Sequence, residues 1–129
     1  MGAGADGRAS AAMPDNLFLV CSYNEASKLA HTPAGAPDGV GVYTVALDTD
    51  SGALRTMDAV TAGPNPAFTV MHPTLPVVYA STERIDSDGE VLAFAMGGAG
   101  EKGALRLLSK RSSVRVTACC VFACPRGEH

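Results

Sequence analysis

Tryptophan is absent from this 129-residue chain, and aromatic residues make up only 5% of it. The flat rings on which single-stranded nucleic acid stacks are therefore scarce. Charge is scarce too, at 18%, and a net charge of −3 with a pI near 5.5 argues against nucleic acid as a partner. Long apolar runs are missing. The longest free of charges and helix breakers, Val116–Cys124, has nine residues, far short of the ~20 that cross a bilayer. No basic stretch followed by an apolar one opens the chain, so a cytoplasmic location with no membrane partner is expected.

Cysteine is present but sparse. Cys21, Cys119, Cys120 and Cys124 are too few and too bunched for a disulfide framework. The spacing Cys119-Cys120-x-x-x-Cys124 is not that of a zinc knuckle, and no second ligand pair follows. These residues read as small buried hydrophobes of a reducing compartment. Redox or metal chemistry at the last three ranks lowest among the functional readings.

What is there is an apolar chain, 47% hydrophobic, long enough for one modest domain and too apolar for wholesale disorder. Its charge is uneven: residues 1–99 hold four Lys/Arg against eleven Asp/Glu, whereas residues 100–129 hold six against two. The basic end reads as a solvated edge before it reads as a binding patch. Residues 1–14 are small and aperiodic, and a disordered tail is expected there. The tail contains Gly2-x-Gly4-x-x-Gly7, but no strand precedes it and no helix follows, so it is not a dinucleotide-binding turn.

Beyond the tail the sequence alternates in steps of two. Leu17–Cys21 is rich in strand formers, and Gly41–Leu47 places Val42, Thr44 and Ala46 on one side with Tyr43, Val45 and Leu47 on the other. Gly and Pro, 14 and 8 in number, punctuate each run, and no stretch keeps a 3.6-residue apolar period for three turns. The class is all-β.

An internal repeat sets the architecture. Gly41–Asp48 matches Glu90–Gly97, Gly52-Ala-Leu-Arg55 recurs as Gly103-Ala-Leu-Arg106, and Pro66–Pro73 aligns with Ala118–Pro125, at offsets of 49, 51 and 52 residues. Leu19–Ser22 matches Val78–Ser81 at an offset of 59, lengthened by the loop Glu25–Asp38. One unit holds four strands in about 50 residues, the size of a β-propeller blade. First to fourth strands are expected at Pro66–His72, Val77–Ser81, Glu90–Met96 and Ala104–Ser109. The chain thus enters on a second strand at Leu17. The expectation is a partial β-propeller over residues 15–129, with about two four-stranded antiparallel blades.

These motifs resemble the opening of the lactonase family of seven-bladed β-propellers, the group that includes bacterial-type 6-phosphogluconolactonases. The likeness runs from Val20-Cys-Ser-Tyr23 through Gly41–Asp48, Ser51-Gly-Ala-Leu54 and Asn65–Pro73 to Val78-Tyr-Ala-Ser-Thr-Glu83. It covers about residues 16–110 and weakens at Ser112–Thr117, which lacks the turn residues of the family. The resemblance implies hydrolysis of a sugar-acid lactone, 6-phosphogluconolactone of the pentose phosphate route, as a small-molecule substrate, with no cofactor. It also implies that a chain with strands for two blades is a partial product with little or no turnover. The rival reading is a non-catalytic propeller segment or interaction module, in which unpaired blade edges invite self-association.

By analogy with the family, the loops joining second to third and fourth to first strands form the substrate-binding mouth. Asn24, Glu25, Asn65, Glu83, Arg84, Lys110, Arg111 and Arg115 fall there. Lactone hydrolysis needs a base to activate water, a donor for the developing oxyanion and cations for a substrate phosphate. Glu83 is the candidate catalytic base or polar anchor, and Arg84 and Arg115 are candidate phosphate or oxyanion contacts. Asn65 is the third candidate for substrate binding, although capping of its own turn is the plainer expectation. His72, on the opposite face, reads as a turn residue, and His31 lies in the long loop. Asp86, Asp88 and Glu90 alternate as calcium ligands can, but the EF-hand pattern fails, and no metal site is expected. No Gly-x-Ser-x-Gly elbow supports a serine triad.

Overall fold

Val-, Leu-, Thr- and Tyr-containing runs fold as seven strands in the computed structural model, which describes residues 16–31, 39–97 and 103–114. The strands are β1 (Leu17–Cys21), β2 (Val42–Leu47), β3 (Leu54–Val60), β4 (Pro66–Met71), β5 (Val77–Thr82), β6 (Glu90–Met96) and β7 (Leu105–Ser112). They form a three-stranded sheet ordered β1-β2-β3 and a four-stranded sheet ordered β4-β5-β6-β7, antiparallel throughout. This is the all-β partial propeller expected, entered on a second strand. Among the described residues the helical content is one 3-10 turn, Ala26–Lys28, inside the long loop after β1. The terminal tail, Arg115, the three C-terminal cysteines and His129 lie outside the described residues.

Strand pairing corrects the repeat in one place. Thr44 and Ala93 correspond at an offset of 49; Leu19 pairs with Thr44, and Tyr79 with Ala93. Leu19 therefore corresponds to Tyr79, at an offset of 60 rather than 59. Because side chains alternate across a strand, a one-residue slip reverses every face, so the distinction decides which residues meet. The outer strands keep their offset of 51: Leu47 pairs with Leu54 and Met96 with Leu105. Each sheet also carries a bulge at the same point, between Thr44 and Val45 in one and between Ala93 and Phe94 in the other. Past its bulge β7 goes on pairing with β6, which carries it to Ser112, beyond the expected Ser109.

The core lies between the sheets. Leu17 and Val42 from the first meet Val78, Ala80, Leu92 and Phe94 from the second, with Leu19, Ala46 and Met57 packed around them. Phe94 is wholly buried. The outer strands are tied together as well, since the Leu105 N–H donates to Asp58 Oδ2 at 2.8 Å and the Thr44 hydroxyl donates to the Gly103 carbonyl. Gly103 has φ +82, and a Cβ there would stand 3.0 Å from Met57 Cβ and 3.1 Å from Thr44 Oγ1. Only glycine suits both the backbone and the fit.

Candidate functional site

The loops after β1, β3 and β5 converge at one end of the two sheets. They are joined by backbone bonds, Glu83 N–H to Asn65 O at 2.9 Å and Ile85 N–H to Lys28 O at 2.9 Å. Asn65 is the centre of this joint. Its side chain is fully buried, and its backbone takes the left-handed φ of +48, which Asn tolerates better than most residues. Its Oδ1 accepts from the backbone N–H groups of Asn24 (3.1 Å) and Glu25 (2.9 Å), while its Nδ2 donates to the Glu25 carbonyl at 2.9 Å. Asn24 reciprocates: its Oδ1 accepts from Asn65 N–H at 2.7 Å, and its Nδ2 donates to the carbonyls of Val40 and Gly63 at 3.1 Å each. Asn65 thus fastens one sheet to the other, where the sequence suggested a cap of its own turn. Its partners lie 40 and 41 residues away in the chain.

Glu83 follows the end of β5 and is partly exposed. The Tyr23 hydroxyl, reaching over from the first sheet, donates to Glu83 Oε2 at 2.8 Å. A carboxylate held by one oxygen keeps the lone pairs of the other for a water or substrate hydroxyl. A single tyrosine beyond a strand end carries no spacing signal, so the sequence alone does not single out Tyr23.

Arg84 is turned along the same loop. Its Nε and Nη2 donate to Asp86 Oδ1 (2.7 Å) and Oδ2 (2.9 Å) in a bidentate pair. The guanidinium bonds hold the Asp86 carboxyl below its ordinary range, and the same bonds raise Arg84. Lys28 and Glu25 form a second ion pair in the 3-10 turn. The geometry therefore joins Asn24, Glu25 and Asn65 in one knot and Tyr23 with Glu83 in another, while Arg84 faces an acid of its own loop. Lys110 and Arg111 are exposed on β7. Asp88 accepts from the Ser112 hydroxyl at 3.2 Å, and the Glu90 N–H donates to Thr82 Oγ1 at 2.8 Å. Among the described residues no group of three His, Cys, Asp or Glu side chains could hold a metal ion.

The opposite end is structural in character. His72 Nδ1 accepts from the N–H groups of Thr74 (3.1 Å) and Leu75 (3.0 Å), closing the turn between β4 and β5. Asp48 does the same between β2 and β3, and the N–H bonds from Ser51 and Asp50 lower its carboxyl. Cys21, at the end of β1, is half-buried, and burial pushes its thiol up to about 11. No helix among the described residues is long and apolar enough to cross a membrane.

Comparison with known proteins agrees with this architecture. Residues 18–129 match the family described as lactonase, a seven-bladed β-propeller. Among solved structures, a crystal structure from Bacteroides fragilis, provisionally assigned as a 6-phosphogluconolactonase, superimposes with a TM-score of 0.61 at 23% identity. The likeness covers 81% of this chain and 25% of that one, so the chain spans about a quarter of its neighbour's length. No curated protein matches. With two sheets in propeller order and a family match over nearly all of its length, the chain belongs to the lactonase family of seven-bladed β-propellers.

Proposed function

We propose that the chain contributes to a lactonase-type ester hydrolysis, opening the lactone ring of a sugar acid, with 6-phosphogluconolactone of the pentose phosphate pathway in a cytoplasmic setting as the substrate. The observation that carries the reading is the family match over residues 18–129. The mouth adds a carboxylate, Glu83, anchored through one oxygen by Tyr23. In this reading Glu83 takes the proton of the attacking water as general base, the water oxygen bonds to the ring carbonyl carbon, and the ring C–O bond breaks as the leaving ring oxygen takes that proton back from Glu83. Arg84 serves the substrate phosphate by leaving Asp86 for the stronger dianion, and Arg115 is a second cation for that group. Asn65, buried and bonded through both Oδ1 and Nδ2, supports the mouth by holding its loops. No cofactor enters this chemistry.

A second reading is favoured by the commitment of Arg84 to Asp86 and of Asn65 to the inter-sheet knot: a propeller segment without turnover of its own. The lactonase assay on the 129-residue chain separates the two. Little or no turnover is expected from the monomeric chain; turnover in an assembled species, resolved by size-exclusion chromatography, supports the first reading, and an inactive assembly supports the second. Turnover lost by at least about 100-fold in Glu83→Gln supports the first reading. Full turnover in that variant removes Glu83 from the chemistry.

A further inference from the structure

The two sheets repeat one plan, so their packed interface is a template for the faces that it leaves uncovered. The first sheet turns Leu19, Val42, Thr44, Ala46 and Met57 toward the second. At the register set by strand pairing, the counterparts are Tyr79, Val91, Ala93, Ala95 and Leu108, all on the far side of the second sheet. Conversely, the second sheet meets the first through Val78, Ala80, Leu92 and Phe94, whose counterparts Phe18, Val20, Tyr43 and Val45 lie on the far side of the first. These far faces are apolar and open: Phe18 is 49% exposed, Val20 45% and Leu108 46%. Such faces on a small domain mark a contact surface.

We propose that the two far faces are complementary to each other, and that the second sheet of one copy packs on the first sheet of another copy of this chain, head to tail, in the geometry of the internal interface. Gly52 carries this furthest. It is the counterpart of Gly103 and shares its backbone, with φ +76 against +82. At Gly103 the bare backbone receives Met57 and Thr44; at Gly52 nothing lies within 4 Å of the Cβ position. The counterparts of Met57 and Thr44 are Leu108 and Ala93, the residues that the far face of a second copy would bring to Gly52. The bond from Leu105 N–H to Asp58 has its counterpart in Leu54 N–H and the hydroxyl of Ser109.

The mouth clasp is not reproduced, because Asn24 corresponds to Arg84 at the offset of 60. Association is therefore weaker than the packing within the chain and rises with concentration. A head-to-tail contact of this kind continues into rings or open strings instead of stopping at a symmetric pair.

Light scattering across a concentration series tests this on the full chain, with Val20→Lys and Leu108→Lys as variants. Both side chains are about half exposed, and far-UV circular dichroism checks that the strands form. The wild type is expected to rise from 13.2 kDa to multiples of it. A lysine ammonium buried against the opposing face weakens association on the order of 100-fold or more, so each variant alone is monomeric. An equimolar mixture restores one intact contact and gives a species of two chains, which also shows that both variants are folded. A wild type that stays monomeric overturns the proposal. So does a mixture that stays monomeric while the wild type assembles, or a single variant that leaves assembly intact, since that marks a same-face pair.

Discussion

Replacement of Asn65 measures how much the joint between the sheets contributes. Its side chain makes three bonds, to Asn24 N–H, Glu25 N–H and Glu25 O. At about 1 kcal/mol net for each, their removal costs about 3 kcal/mol. Alanine carries an added cost of about 1–2 kcal/mol for the left-handed φ of +48, so Asn65→Ala should lose about 4–5 kcal/mol. Asn65→Gly loses the same bonds but accepts that backbone, and should lose about 1 kcal/mol less than alanine. Asn65→Asp keeps the acceptor but sets a carboxylate oxygen against the Glu25 carbonyl and buries its charge, and should lose at least as much as glycine. Urea unfolding followed by far-UV circular dichroism reads all three at dilute protein. Against the ~5–15 kcal/mol that holds a typical domain, each loss is large. Equal losses for glycine and alanine would show that the backbone geometry contributes nothing. A loss below ~0.5 kcal/mol in Asn65→Gly would refute the reasoning about the clasp itself.

Three further outcomes are expected. Phe94→Ala, at a fully buried site, should cost ~3–5 kcal/mol and lower the melting temperature by more than ~10 °C, while Leu75→Ala, half exposed in a turn, should stay within ~0.5 kcal/mol. The carboxyls of Asp48 and Asp86 are lowered by hydrogen bonds. Their stabilising share is therefore complete above the ordinary carboxylate value and is lost as the pH falls through the lowered ones. Carboxyl ¹³C titration should show both midpoints low, and Arg84→Ala should return that of Asp86 alone toward normal. In a variant with Cys119, Cys120 and Cys124 changed to serine, Cys21 should react roughly 100-fold more slowly than a free thiol near pH 8, as a thiol raised to about 11 requires; reaction at the free rate would show that β1 opens.

The fold was legible because alternation and repetition are properties of the chain itself. Val42, Thr44 and Ala46 declare a buried face without any knowledge of their neighbours, and the two Gly-Ala-Leu-Arg turns fix where each outer strand begins. The slip between 59 and 60 arose where Leu19–Ser22 and Val78–Ser81 were matched by a shared serine, although only hydrogen-bond pairing tells which residue faces which. The bulges at Met57 and Leu108 carry no Gly or Pro to announce them. At the mouth, Glu83 and Arg84 were visible as charges beyond a strand end, but their partners were not. Tyr23 reaches Glu83 from 60 residues away, and Asn65 works through a loop 40 residues upstream, distances across which one sequence holds no record.

The paired irregularities in β3 and β7 have a bearing on how this chain tolerates change. In each sheet two outer residues count as one against the neighbouring strand, so the kink absorbs a supernumerary residue and keeps the side chains beyond it in phase. Deleting Met57 would leave Thr56 opposite Val45 and Asp58 opposite Thr44, turning the bulge into regular pairing at the loss of the Met57 side chain from the core. Lengthening the turn at 48–53 would leave both strands in phase. A residue added inside an outer strand has no such outlet and would reverse the faces beyond it, so whole-loop insertions should be accepted far more readily.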